Sequence, residues 1–194
     1  MTPLTWQEFL DAATSLSDEA LTEDALYALA ERLVVDASLL APYIQFEQAS
    51  YARHPLYRDA RFEALCLCWE PGQGTAIHNH GDSFGIVYVY EGALTTSTYR
   101  RQDDGTLPGR ARLAPLGRAR VSAGGLLLDR QGAIHAIANP PGSGRRAVSL
   151  HFYAGPLATM EIFDLHQGTV AAKAMQGEPL AYIEPGADVM AALI

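Results

Sequence analysis

The chain has almost no lysine, few cysteines and no stretch rich in basic residues. Of its 194 residues, 14 are Lys or Arg and 22 are Asp or Glu, so the formal net charge is −8 at pH 7. An acidic chain without a basic run is poorly suited to bind nucleic acid or an anionic membrane, and we expect neither partner. The single lysine, Lys173, among many arginines indicates a compositional bias rather than a function.

Long apolar runs and an early basic segment are also missing. No apolar run reaches 18 residues, so the sequence predicts no transmembrane helix. The first basic residue is Arg32, which argues against the charged start of a secretory signal peptide. Cys66 and Cys68, two residues apart on one predicted strand, are badly placed for a disulfide with each other. Two cysteines without a wider framework suit a reducing compartment, so we expect a cytoplasmic protein.

The residue pattern changes near residue 46. Residues 1–46 are predicted to be helical: Thr5 and Glu8 have the spacing of a capping box, and residues 22–36 form an amphipathic pattern. From about residue 60, short strand-like segments alternate with Gly, Pro, Asp and Asn, which is typical of a β-sandwich or barrel. The sequence therefore predicts one mainly-β domain over residues 1–194, in which the helical segment packs on a barrel formed by 47–194.

Three histidines occur in two segments that are punctuated by glycine. His78 and His80, in "AIHNHGDSFG", are two residues apart, so a strand would point both imidazoles to the same face. His135 follows much later, in "GGLLLDRQGAIHAIAN". A histidine pair of this kind fits two partly exposed polar residues as well as metal ligands. If the histidines bind a metal, neutral imidazoles suit Fe, Zn, Cu or Ni.

A second row of polar side chains lies in "AVSLHFY", residues 147–153. Strand alternation puts Ser149, His151 and Tyr153 on one face and apolar side chains on the other. The row fits an ordinary strand with a solvated side, and it also fits a hydrogen-bonded relay of three side chains. The strand pattern alone leaves both interpretations open.

The two histidine segments resemble the two motifs of the cupin superfamily. The matching positions are Gly72, His78, His80 and Gly92 for the first motif and Gly124, Gly132, His135 and Asn139 for the second. The resemblance implies a cupin barrel, a double-stranded β-helix, with a metal bound by His78, His80 and His135. Gly85 stands where most cupins have a glutamate ligand, and Arg130 replaces the proline of the second motif. The implied site therefore has three neutral ligands and open positions for a substrate.

With "YARH" and "CWEPGQGTAIHNHGDSFG" added, residues 51–175 resemble the thiol dioxygenases, specifically the cysteine dioxygenase type I family in its bacterial form. The resemblance implies that the three histidines bind Fe(II) and that L-cysteine chelates the iron through its thiolate and amine. Both atoms of O2 would be added to sulfur, giving cysteine sulfinate. The implied partners are therefore a small-molecule thiol and O2.

The same resemblance assigns roles to six further residues. Arg53 would bind the substrate carboxylate, and Tyr153 would place its hydroxyl near the substrate and O2. The remaining four positions would support them: Ser149 and His151 would hold the Tyr153 hydroxyl, and Tyr51 and Met175 would line the pocket. A planar guanidinium is the side chain best suited to bind a carboxylate through two hydrogen bonds.

Gly85 departs from the animal members of this family, which carry there a cysteine that is joined through sulfur to the active-site tyrosine. No such link can form here, so we expect Tyr153 to remain a free phenol. Two alternatives stay open: a 3-mercaptopropionate dioxygenase, whose carboxylate-binding position resembles glutamine, and a non-catalytic metal-binding cupin. Arg53 favours L-cysteine over the first, and Tyr153 favours an enzyme over the second. The oligomeric state is undetermined, and a monomer is compatible with the sequence.

Overall fold

Three short helices open the chain in the computed structural model, which describes residues 2–175. They are α1 (Trp6–Ser15), α2 (Glu23–Ala30) and α3 (Ala37–Leu40), and a 3-10 turn at Ala41–Tyr43 follows them. The predicted capping box is present, because Glu8 donates its backbone N–H to the Thr5 side chain and accepts from the Thr5 N–H at 2.8 Å. The helix predicted over residues 22–36 ends at Ala30, and Leu33 instead pairs with Leu4 in an isolated bridge.

Eleven strands follow within the described residues. They are β1 (Ala52–Arg58), β2 (Phe62–Trp69), β3 (Ile77–His78), β4 (Phe84–Glu91), β5 (Ala93–Arg101), β6 (Leu113–Ser122), β7 (Leu126–Asp129), β8 (Ile134–Ala138), β9 (Ala147–Ala154), β10 (Thr159–Asp164) and β11 (Thr169–Ala174). Strands β5 and β6 are paired as far as Arg101 and Leu113, so residues 102–112 connect them.

The strands form two antiparallel sheets. One has the order β1-β2-β9-β4-β7 and the other the order β11-β10-β3-β8-β5-β6. Apolar side chains from both sheets meet in one buried cluster, including Leu65 and Val87 from the first sheet and Ile137 and Met160 from the second. The predicted mainly-β, double-stranded β-helix fold of the cupins is therefore confirmed.

The helices cover the outer face of the first sheet. Phe9 of α1 packs on Phe152 of β9 with ring centroids 4.6 Å apart, and Cys66 and Cys68 belong to the same buried cluster. Because the helices cover one face and the barrel interior the other, β2 and β9 are buried at every position. Among residues 2–175 no helix is both long and apolar enough to cross a membrane. The single-domain organisation over 1–194 stays a prediction.

Candidate metal centre and active site

The three predicted histidines lie together inside the barrel. His78 of β3 and His135 of β8 stand opposite each other in the second sheet, and His80 lies just beyond the short strand β3. Their ring nitrogens converge: His78 Nε2 is 2.9 Å from His80 Nε2 and 3.2 Å from His135 Nε2. Each histidine is only 3% exposed. The cluster therefore has the composition and burial of a group that could hold a metal ion.

Hydrogen bonds on the far side of two rings fix which nitrogen faces the cluster. His78 Nδ1 lies 2.8 Å from the Ala76 carbonyl oxygen, and His135 Nδ1 lies 2.9 Å from Asp129 Oδ1. Both oxygens can only accept from Nδ1–H, so Nε2 of each ring keeps its lone pair. Asp129 supplies the carboxylate that commonly supports a metal-binding histidine, although the sequence analysis did not single it out.

The protonation of the buried histidines bears on whether the cluster can bind a metal ion. Burial is the main cause that lowers the pKa of His78 to about 3 and holds the pKa of His80 well below its usual value. The Nε2 lone pairs of His78 and His135 face each other at 3.2 Å and repel, and a cation between them removes that repulsion. Three converging imidazole nitrogens therefore fit a divalent transition-metal ion.

Strand β9 carries the predicted polar row into the same interior. His151 Nε2 lies 2.9 Å from Ser149 Oγ, and His151 Nδ1 lies 3.0 Å from the Tyr153 hydroxyl. Trp69 donates its indole N–H to Ser149 Oγ at 2.9 Å. All these side chains are buried, so the interpretation as a solvated strand face is wrong and the side chains form a relay. Burial is also the main cause that lowers the pKa of His151 to about 3.

A small cavity joins the relay to the histidine cluster. It has a volume of about 30 Å³, and its lining includes Tyr51, Arg53, His78, His151, Tyr153 and Met175. A single water molecule needs about 10–15 Å³, so only a compact ligand fits this cavity without rearrangement. Tyr51 stacks on Trp69 with ring centroids 4.4 Å apart, which holds the phenol against the cavity wall. The predicted pocket residues Tyr51 and Met175 are thus brought to the cavity.

Arg53 reaches this cavity from β1 and meets a buried carboxylate. Its side chain is 7% exposed, and its Nη2 lies 3.4 Å from Glu63 Oε2. The other Glu63 oxygen lies 3.4 Å from Nη1 of Arg58, whose side chain is half exposed. Glu63 was missed in the sequence analysis, although it is the only charged residue within the apolar strand "FEALCLCW".

One row of residues across the first sheet links these groups. Strand pairing puts Tyr153 opposite both Glu63 and Gly85, and Gly85 opposite Asp129. The Tyr153 ring lies over Gly85, where an added Cβ would come within 2.5 Å of Tyr153 Cδ1. Tyr153 therefore stands between Glu63 and Asp129 in this row. The Glu63 carboxylate contacts Arg53, and the Asp129 carboxylate contacts His135. Burial, aided by the charge of Asp129, raises the pKa of Tyr153 well above its usual value.

The two cysteines lie away from this row. Cys66 and Cys68 stand opposite Leu150 and Val148 on β9, and they belong to the cluster beneath the helices. Both thiols are free. Their strand positions alternate with those of Glu63 and Leu65, so they face the other side of the sheet. Neither cysteine lies beside Tyr153.

Comparisons with known proteins identify the family of this chain. The family profile described as cysteine dioxygenase type I matches residues 13–166. Cysteine dioxygenase type 1 of Homo sapiens is 26% identical over 152 residues, which is 78% of this chain and 74% of that protein. The enzyme of Bos taurus is 25% identical over 151 residues, with 77% and 74% coverage.

Similar solved structures include a protein from Thermus thermophilus, with 21% identity and a TM-score of 0.46 over 63% of this chain and 96% of that one. Another is an uncharacterised protein from Klebsiella pneumoniae with a double-stranded β-helix domain. It has 15% identity and a TM-score of 0.47, covering 64% of this chain and 94% of that one. Because the family profile spans most of the sequence, including all three clustered histidines, this chain belongs to the cysteine dioxygenase type I family.

Proposed function

We propose that this protein is an Fe(II)-dependent dioxygenase that converts L-cysteine and O2 to cysteine sulfinate. The observation that carries the proposal is a buried cluster of three histidines beside one cavity, which His78 of the cluster lines together with a buried guanidinium and a buried phenol. The family relationship supports the reaction type. The reaction balances without a co-reactant, because sulfur loses four electrons, O2 gains four, and both oxygen atoms end on sulfur.

The metal would be held by Nε2 of His78, His80 and His135. When bound, Fe(II) supplies the one-electron chemistry that allows a thiolate to react with O2. Gly85 leaves the donor set without a carboxylate, so the cluster itself contributes no negative charge. Such a donor set favours a substrate that brings its own anion, and a thiolate is the ligating form of a thiol.

Arg53 would bind and orient the substrate carboxylate. Its guanidinium is buried beside the cavity, where a charge-assisted pair with a carboxylate is strong and directional. The small cavity favours a thiol with few atoms between sulfur and carboxylate. Holding the carboxylate at a fixed point lowers the entropic cost of aligning the sulfur for reaction.

Tyr153 would direct its hydroxyl hydrogen toward the cavity. Trp69 can only donate, so Ser149 Oγ accepts from it, and in this proposal Ser149 donates its own O–H to His151 Nε2. Neutral His151 then donates Nδ1–H to the Tyr153 oxygen, which leaves the phenolic hydrogen available to a bound substrate. The raised pKa keeps Tyr153 protonated and able to donate, as a free phenol in the bacterial form of the enzyme. We propose a cytoplasmic location, where thiol substrates stay reduced.

The test is oxygen uptake by the iron-loaded protein with L-cysteine, 3-mercaptopropionate and cysteamine. We expect L-cysteine to be preferred and Arg53→Ala to lower kcat/KM for it about a hundredfold, because a charged bidentate pair is worth roughly 2–3 kcal/mol. Cysteamine, which has no carboxylate, should be a poor substrate whose low rate is unaffected by the substitution.

Arg146→Ala is the matched control, because Arg146 is exposed, pairs with Glu70 and does not line the cavity. A preference for 3-mercaptopropionate would agree with dioxygenation of a thiol but would contradict the assignment of L-cysteine as the substrate. No uptake with any thiol, despite full iron loading, would favour a non-catalytic metal-binding cupin instead.

A further inference from the structure

Glu63 is a buried charge to which the proposed reaction gives no role. Its residue is 2% exposed, and its two carboxylate oxygens contact different arginines, Arg53 and Arg58. Ion pairs buried in this way contribute little net stability, because desolvation offsets their attraction. Half-exposed Arg58 could balance the carboxylate by itself from the solvent side. The contact with Arg53 therefore calls for a different explanation.

Strand register shows what the contact does to Arg53. The Arg53 backbone stands opposite Leu67 on β2, which is the level of Ser149 on β9. Glu63 lies further along the same interior face of β2, at the level of Tyr153. The Arg53 side chain runs along β2 to reach Glu63. Its guanidinium therefore lies nearer to the position of Tyr153 along the strands than the Arg53 backbone does.

We propose that Glu63 is a positioning residue that fixes the Arg53 guanidinium near Tyr153 and thereby selects thiols that carry a carboxylate. This inference rests on the proposed function, in which Arg53 binds that carboxylate. Glu63 accepts from one guanidinium nitrogen, Nη2, at 3.4 Å, and Arg53 but not Glu63 lines the cavity. Without the contact to Glu63, the Arg53 side chain has many rotamers. Substrate binding must then restrict them, at a cost in side-chain conformational entropy.

Glu63→Gln tests the proposal with almost no change in side-chain volume. We expect the Kd of L-cysteine, measured by anaerobic calorimetric titration of the iron-loaded protein, to rise about tenfold, a typical coupling between contacting residues. The Kd of cysteamine should not change, because it has no carboxylate for Arg53 to bind. Glu70→Gln is the matched control, since Glu70 pairs with the exposed Arg146 at 2.6 Å and does not line the cavity.

A double-mutant cycle separates positioning from a general structural role. In an Arg53→Ala background, Glu63→Gln should have no further effect on the Kd of L-cysteine. An equal effect in both backgrounds, an equal effect on cysteamine, or an unchanged or lower Kd in the single variant would overturn the proposal. Because binding is measured without O2, these outcomes are independent of turnover: normal binding of L-cysteine without oxygen uptake would contradict only the proposed reaction.

Discussion

Replacing His78 with alanine is expected to abolish thiol oxidation and to leave the protein with little bound iron. His78 Nε2 contacts the Nε2 atoms of both His80 and His135, so the substitution removes the central member of the cluster. Loss of a direct ligand should exceed the roughly 10–100-fold loss that follows removal of a supporting partner. Iron content by elemental analysis and oxygen uptake with L-cysteine measure the two effects.

The His78→Ala experiment has a matched control in His166→Ala. His166 is an exposed turn residue after β10, so its replacement should change neither iron content nor activity. A thermal-shift measurement separates metal loss from unfolding: adding Fe(II) anaerobically should raise the Tm of the wild type and of His166→Ala, but not that of His78→Ala. Full iron content and normal activity in His78→Ala would show that the metal lies elsewhere.

Replacing Asp129 with asparagine is expected to weaken metal binding by about 10–100-fold while the fold is retained. Asp129 accepts from Nδ1–H of His135 at 2.9 Å, and both side chains are only 4% exposed. Its negative charge makes the imidazole a stronger donor and holds the ring with Nε2 toward the cluster. Asparagine keeps the shape and one acceptor oxygen but loses the charge.

Competition with a chelator of known affinity measures the effect of Asp129→Asn. Asp103→Asn is the control, because Asp103 forms a comparable contact of 2.7 Å but with Arg101, away from the histidines. An unchanged metal affinity in Asp129→Asn would mean that the carboxylate is structural only. An equal loss in both variants would mean that surface charge, rather than the contact with His135, sets the affinity.

The elements of the fold were largely predictable because they depend on local pattern. The spacing of Thr5 and Glu8 predicted the cap of α1, and alternation predicted that Ser149, His151 and Tyr153 share a face. The pattern could not set element ends that depend on distant partners. The helix predicted to continue to residue 36 stops at Ala30, where Leu33 pairs with Leu4.

Sequence motifs predicted only part of the candidate site. The three histidines follow from spacing and resemblance, but Glu63 and Asp129 do not, because their positions depend on cross-strand register. Glu63 and Asp129 belong to strands far apart in sequence and share one row with Tyr153 only when β2, β9, β4 and β7 are aligned. Burial of His151 likewise depends on the opposite sheet, which strand alternation cannot reveal.

The decisive measurement is the fate of labelled oxygen. Iron-loaded protein is mixed with L-cysteine under ¹⁸O2 in ordinary water, and the product is analysed by mass spectrometry. The proposed reaction predicts cysteine sulfinate in which both new oxygen atoms are ¹⁸O. Sulfinate with an oxygen from water, or cystine formed together with hydrogen peroxide, would contradict dioxygenation of the thiol.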